Sequence, residues 1–272
     1  MNRRRIYLMR HGEVSYYEDG RPVHPDGVPL TAAGREQAQA AADALAGIEF
    51  DRVIASSLPR TVETARIVAP GIEPEPWPEL RELTSGRLAD FSAEELEAMF
   101  IGAFKNVVPE DARFLGGETI GALYDRVIAA LERLLADDDW DIVLTVLHGG
   151  VNRAILSYAL TGGRTFLGNL EQAPACINVL DVGVGVARGA DRQDVRAEQA
   201  GPRAEPTAPR HGSARAAAAV RPSETTSRPA DGGHTTGTGW IVRAVNVTPY
   251  DLAHRRGRST TMEELWSQFR ST

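Results

Sequence analysis

The run Ile142-Val143-Leu144-Thr145-Val146-Leu147 limits the possible fold more than any other part of this chain. It is near-continuously apolar, with no alternation of polar and apolar positions, which reads as a strand buried on both faces of a sheet. Its neighbours along the chain agree. Ile6-Tyr7-Leu8-Met9 and Arg52-Val53-Ile54-Ala55 are shorter runs of the same kind. Helical patterns separate them. Thr31 opens a helix through Ala46 with the small apolar face Ala38, Ala41, Ala42 and Leu45, and a second helix covers 58–68. Ile120, Leu123, Tyr124, Val127, Ile128, Leu131 and Leu135 follow the clearest helical spacing. Gly149-Gly150 turns into a helix through Leu160, and 175–182 and 240–247 read as two more strands. Ser92 with Glu95, and Thr261 with Glu264, have the spacing of capping boxes; the first opens a helix with Leu96, Met99, Phe100, Ala103 and Phe104 on one face. Strands alternating with helices predict an α/β fold, a three-layer sandwich with a mostly parallel central sheet and helices on both faces.

One stretch breaks the pattern. Residues 183–239 contain no Leu, Ile or aromatic side chain, so they cannot bury enough apolar surface to offset the entropy of ordering. They predict a disordered insertion within a single domain spanning 1–272. The one cysteine, Cys176, excludes an intrachain disulfide framework and a cysteine-only metal cluster. No apolar run approaches the length of a membrane span. The basic start Met1-Asn2-Arg3-Arg4-Arg5 leads into an apolar stretch broken at Arg10-His11, too short for a secretion signal, so a cytoplasmic protein without a membrane partner is expected. A formal net charge of −7, and interspersed charges in the insertion, give no reason to expect a nucleic-acid partner.

The chemistry gathers where the strands end. The first strand runs into Arg10-His11-Gly12-Glu13, the second into Ser56-Ser57-Leu58-Pro59-Arg60, and the third into His148-Gly149-Gly150. In open α/β sheets ligands bind outside the carboxyl ends of the strands. Two arginines and two histidines there suit a phosphoryl group, because guanidinium forks match its oxygens. The helix starts after Ser57 and Gly149 add backbone N–H donors. No His/Cys/Asp cluster has metal-ligand spacing, so neither metal nor other cofactor is expected.

Arg10-His11-Gly12-Glu13 resembles the Arg-His-Gly signature of the histidine phosphatase superfamily, the phosphoglycerate mutase-like proteins. Leu30-Thr31-Ala32-Ala33-Gly34 resembles the family's Leu-Thr-x-x-Gly helix start, and Ser56 to Ala65 its second arginine motif. Leu80-Arg81-Glu82-Leu83, Gly116-Gly117-Glu118-Thr119, Leu147-His148-Gly149-Gly150-Val151-Asn152-Arg153 and the closing segment 246–252 match later blocks, all in family order. The resemblance implies a nucleophilic His11 that forms a phosphohistidine. It implies Arg10 and Arg60 on the equatorial oxygens, a hydrogen bond from His148 to the same group, and Glu82 as general acid and then base. Glu75 and Glu79 lie close by as rivals for that last role. Gly12, Glu13, Tyr17, Ser57 and Gly149 are the expected substrate-binding residues. Tyr17 stands where many members carry asparagine.

The expected function is metal-independent hydrolysis of a small phosphorylated metabolite. A mutase that returns the phosphoryl group to its product is the nearest alternative; a non-catalytic phospho-ligand-binding protein is the more distant one. The Trp-Asn pair and long lid usual in mutases are missing or shortened here, which favours the phosphatase. Specificity is expected from the 14–28 loop and the 91–114 segment, and the resemblance leaves room for a homodimer.

Overall fold

A computed structural model describes residues 3–18, 21–86, 91–183, 239–250 and 260–270. Strand β1 (Arg3–Arg10) is its hub. It pairs in parallel with β7 (Ile142–Leu147), β7 with β4 (Arg52–Ala55), and β4 with the edge strand β5 (Glu75–Pro76). On its other side β1 runs antiparallel to β9 (Ile177–Gly183), which runs antiparallel to β10 (Trp240–Val247). The result is a six-stranded, mostly parallel sheet in the order β10-β9-β1-β7-β4-β5. Among the described residues two small two-stranded antiparallel sheets lie outside it: β2 (Tyr17–Glu18) with β3 (Arg21–Pro22), and β6 (Val107–Val108) with β8 (Phe166–Leu167).

Alternation along the strands divides the core between two faces. Ile6 and Leu8, Ile54, and Val143 and Leu147 pack against α4 (Ile120–Ala136) and α5 (Gly149–Thr161). Tyr7 and Met9, Val53 and Ala55, and Leu144 and Val146 pack against α1 (Ala32–Ala44) and α2 (Pro59–Val68). The three-layer sandwich therefore stands, with β1 longer at its start than its apolar run. Arg4 extends it by lying over the Trp140 ring at 4.3 Å, and Arg5 by pairing with Asp181 at 2.7 Å.

Helix α3 (Ala93–Gly102) starts at the expected capping box of Ser92 and Glu95. The second box is displaced. In α6 (Thr261–Arg270) the Thr260 N–H donates to the Glu263 carboxylate at 2.7 Å and the Glu263 N–H to Thr260 Oγ1 at 3.3 Å, one residue before the expected Thr261–Glu264 pair. Thr261 is unavailable as a cap because its N–H and its hydroxyl both donate to the Glu171 carboxylate. Helices α3 and α6 then bury Leu96, Phe100, Leu115, Met262 and Trp266 together.

At the mouth of the expected insertion the Gly183 N–H donates to the Gly239 carbonyl at 2.9 Å; residues 184–238 lie outside the described residues. No helix among the described residues is long and apolar enough to cross a membrane.

Candidate active site

Strands β1, β4 and β7 end side by side. The His11 N–H donates to the Leu147 carbonyl at 3.0 Å, which sets the end of β1 beside the residue before His148. The chain after β1 then meets the first turn of α1 at very close range. A Cβ on Gly12 would lie 2.4 Å from the Gly34 oxygen, and one on Gly34 2.2 Å from the Glu13 oxygen, so only glycine fits at either place. The Gly12 N–H donates to Thr64 Oγ1 at 3.1 Å, and the Glu13 carboxylate accepts the Thr31 hydroxyl at 2.9 Å. Gly12 and Glu13 thus fix the loop that carries His11.

His11 is buried. Its Nδ1 lies 2.7 Å from the Gly12 carbonyl, which can only accept, so the proton is on Nδ1 and the lone pair on Nε2. The Arg60 Nε–H donates to that Nε2 at 3.3 Å, and Arg60 Nη1 is anchored on the Pro25 carbonyl at 2.7 Å. Burial, then the charges of Arg60 and Arg10, hold His11 well below the ordinary histidine range and so neutral. Arg10 donates through Nη1 to the Gln172 carbonyl at 2.6 Å and to Thr261 Oγ1 at 3.3 Å, while its buried Nε has no partner among the described residues. Gln172 is itself held by Asn178 Nδ2 at 2.8 Å and Asn152 Nδ2 at 3.1 Å.

His148 precedes the first turn of α5, its ring 5.2 Å from that of His11 and edge-on to it. Its Nε2 lies 2.6 Å from Ser56 Oγ. Burial, then His11, Arg60, Arg10 and Arg126, hold this imidazole well below its ordinary range as well. Ser57 is exposed, with a left-handed φ of +70° that bends the chain from β4 into α2, and the serine in contact with His148 is its neighbour Ser56.

Glu82 joins the group from the segment after β5. Both its oxygens accept the Gly150 N–H at 3.1 Å, at the start of α5. A Cβ on Gly149 would lie 3.1 Å from Arg153 Nη1 and 3.8 Å from both Arg10 Nε and Glu82 Oε2, so Gly149 marks where these three side chains converge. The rival acids are elsewhere. Glu75 pairs with Arg52 at 2.6 Å, and Glu79 pairs with Arg133. Arg126 holds the backbone before Glu82, donating to the Glu79 carbonyl at 2.7 Å and the Arg81 carbonyl at 2.6 Å; Glu118 clamps Arg126 with two bonds of 2.8 and 2.9 Å.

Tyr17 lies in β2, half-buried, and among the described residues no hydrogen bond joins its hydroxyl to Arg10, His11, Arg60 or His148. His24 caps a short turn, accepting the Asp26 N–H at 3.3 Å. Four contributions had no sequence assignment: Ser56 on His148, the Glu118–Arg126 clamp, Thr261 on Arg10, and buried Arg153 beside Gly149. Glu118 and Arg153 stand inside motif blocks, which was the available signal; Thr261 stands far from them in sequence, and its contact exists only after folding. Among the described residues no three His, Cys, Asp or Glu side chains are grouped to hold a metal ion.

This chain is similar to several known proteins. "Probable phosphoglycerate mutase GpmB" of Enterobacter sp. (strain 638) is 36% identical over 148 residues, 53% of this chain and 69% of that protein. The alpha-ribazole phosphatase of Shigella flexneri superposes with a TM-score of 0.55 at 28% identity, over 66% of this chain and 91% of that one. A mycobacterial glucosyl-3-phosphoglycerate phosphatase gives 0.54 at 25% identity, over 66% and 90%. A profile of the histidine phosphatase superfamily (branch 1) matches residues 6–190, and with the paired histidines and arginines at the strand ends it makes this chain a member of that superfamily.

Proposed function

We propose that the protein is a phosphomonoesterase that hydrolyses a small phosphorylated metabolite through a phosphohistidine on His11. The observation that carries this reading is the fixed tautomer of His11, with its lone pair on Nε2 and directed at the Arg60 Nε–H. A phosphoryl oxygen arriving between them takes the Arg60 donor and exposes the lone pair to phosphorus. Nε2 then forms the N–P bond as the ester P–O bond breaks, and Glu82 gives the leaving oxygen its proton. In the second step a water attacks phosphorus, Glu82 takes its proton, and inorganic phosphate leaves with His11 restored. Arg10, Arg60 and His148 stabilise charge on the equatorial oxygens in both steps. Relatives named as phosphatases support release to water.

The GpmB likeness favours a second reading, in which the phosphoryl group returns to the product. Both readings share the first step. Assay of an aryl phosphate with rapid acid-labile phosphoenzyme trapping tests it: His11→Ala is expected to lose activity by about a thousandfold or more and to trap no phosphoenzyme. Chelator is expected to leave the wild type unchanged. Substantial activity in the variant, or clear loss on chelation, defeats the mechanism. Free phosphate as the main product from a metabolite panel supports hydrolysis, and an isomerised phosphoester supports the mutase.

A further inference from the structure

The hydrogen bonds around His148 can be counted hydrogen by hydrogen, and the count reaches the substrate. Thr61 Oγ1 lies 2.8 Å from the Leu58 carbonyl, which only accepts, so the one Thr61 hydroxyl hydrogen is spent there. Ser56 Oγ lies 3.1 Å from Thr61 Oγ1, so in this contact Ser56 must donate. The Ser56 hydrogen is then spent too, and the 2.6 Å contact with His148 Nε2 requires that Nε2–H donate to Ser56 Oγ. A neutral His148 is therefore protonated on Nε2 and bare on Nδ1. That Nδ1 is buried and, among the described residues, has no hydrogen-bond partner. With Nε2 occupied, it is the one ring nitrogen left to meet a phosphoryl group.

A phosphoryl dianion offers only acceptors. A bare Nδ1 facing one of its oxygens would bring two lone pairs together in a buried site, which is unfavourable without a hydrogen between them. We infer that this pocket takes up one proton with each phosphoryl dianion it binds, placed on the line between His148 Nδ1 and a phosphoryl oxygen, and that Thr61 and Ser56 impose this by fixing the His148 tautomer. The inference rests on the phosphoryl-site reading proposed above. The proton comes from solvent, and the balance is the same whether the complex is written as imidazolium with dianion or imidazole with monoanion. The groups facing His148 are Arg10 from β1 and His11 just after it, Arg60 from α2, and Arg126 from α4, with Glu82 against the start of α5. The cations oppose a lone imidazolium, which is why the proton arrives with the anion. Ser56 and Thr61 are positioning residues; they act through His148.

The sign follows. Monoesters lose their second proton near pH 6, so above that the dianion prevails and binding must draw a proton from solvent. Affinity then weakens by about tenfold per pH unit. Calorimetric titration of the full chain with inorganic phosphate, at about pH 8 in buffers of differing ionisation heat, reads the uptake. The wild type is expected to take up about one proton per phosphate. Thr61→Val frees the Ser56 hydrogen for Nε2, moves the His148 proton to Nδ1, and is expected to bring the uptake close to zero. Binding by the wild type without uptake overturns the inference, as does an equal uptake in both proteins. Should Thr61→Val fail to fold, nitrogen NMR of the wild-type ring decides: an Nε2–H tautomer supports the relay, and an Nδ1–H tautomer overturns it. A wild type that binds no phosphate at all overturns the phosphoryl-site reading itself.

Discussion

His11 and His148 are both buried among cations, and burial followed by the neighbouring charges lowers both below the ordinary histidine range. In the unfolded chain each binds a proton near pH 6.5. Between that value and the lower folded ones, the unfolded state holds more protons than the folded state. Stability contributed by the neutral imidazoles is therefore present above about pH 6.5 and is lost as pH falls below it, by up to about 1.4 kcal/mol per pH unit for each histidine. Thermal unfolding without phosphate is expected to show Tm falling between about pH 7 and pH 5, before ordinary carboxylates titrate. His148→Gln keeps the ring's approximate volume without its titration, and is expected to reduce that slope by about half. A Tm that stays level across this range would mean that the two rings are more hydrated than their burial implies. That Arg10, His11, Arg60 and His148 come together was legible in the chain because each lies at the end of an apolar strand or in the first turn of the helix that follows one. Their proton positions were not, because these depend on the Gly12, Leu58 and Ser56 oxygens brought close only by folding.

At the scale of elements, apolar periodicity announced what lies in the sheet core and lost force elsewhere. The spacing along α4 and the unbroken run of β7 each encode their own burial. The two-residue strands β2, β3, β5, β6 and β8 carry no such pattern, since their pairing is set by neighbours already in place. The same distinction applies to Glu82, the proposed acid. Residue type and motif order indicated Glu82, but what holds it is tertiary: Glu118, before α4, clamps Arg126, which holds the backbone carbonyls of Glu79 and Arg81. Glu118→Gln removes the charge of that clamp and leaves Arg10, His11 and Arg60 untouched. An acid misplaced by about 1 Å can cost on the order of a hundredfold, so kcat/KM for an aryl phosphate is expected to fall roughly ten- to hundredfold. Phosphate affinity, read by titration, is expected to change by less than about threefold, because the arginine contacts remain. Equal losses in both measurements would assign Glu118 to the stability of the whole site.

Across the whole molecule, the site draws on both sides of the expected insertion. The residues proposed to react all precede Gly183, yet β10 and α6 brace them. The Asn246 N–H donates to Asn178 Oδ1 at 2.8 Å, and Asn178 holds Gln172, whose carbonyl anchors Arg10. From α6, Thr261 reaches Arg10 as well. A chain cut after Gly183 is therefore expected to lose the Thr261 contact to Arg10 and the Asn246 bond to Asn178, expose the edge of β9, and show little activity. Removing the connection alone is different. The Gly183–Gly239 hydrogen bond at 2.9 Å brings the ends of β9 and β10 within reach of a short turn. Deleting residues 188–236 and joining the ends through a short Gly/Ser turn shortens the closing loop several-fold, which lowers its closure entropy by about 1–2 kcal/mol. The shortened chain is expected to keep kcat/KM within about twofold and to unfold in one transition at an equal or higher Tm. A lower Tm, or a split transition, would show that the removed residues contribute contacts of their own to the fold, and that β9 and β10 depend on more than their shared ladder.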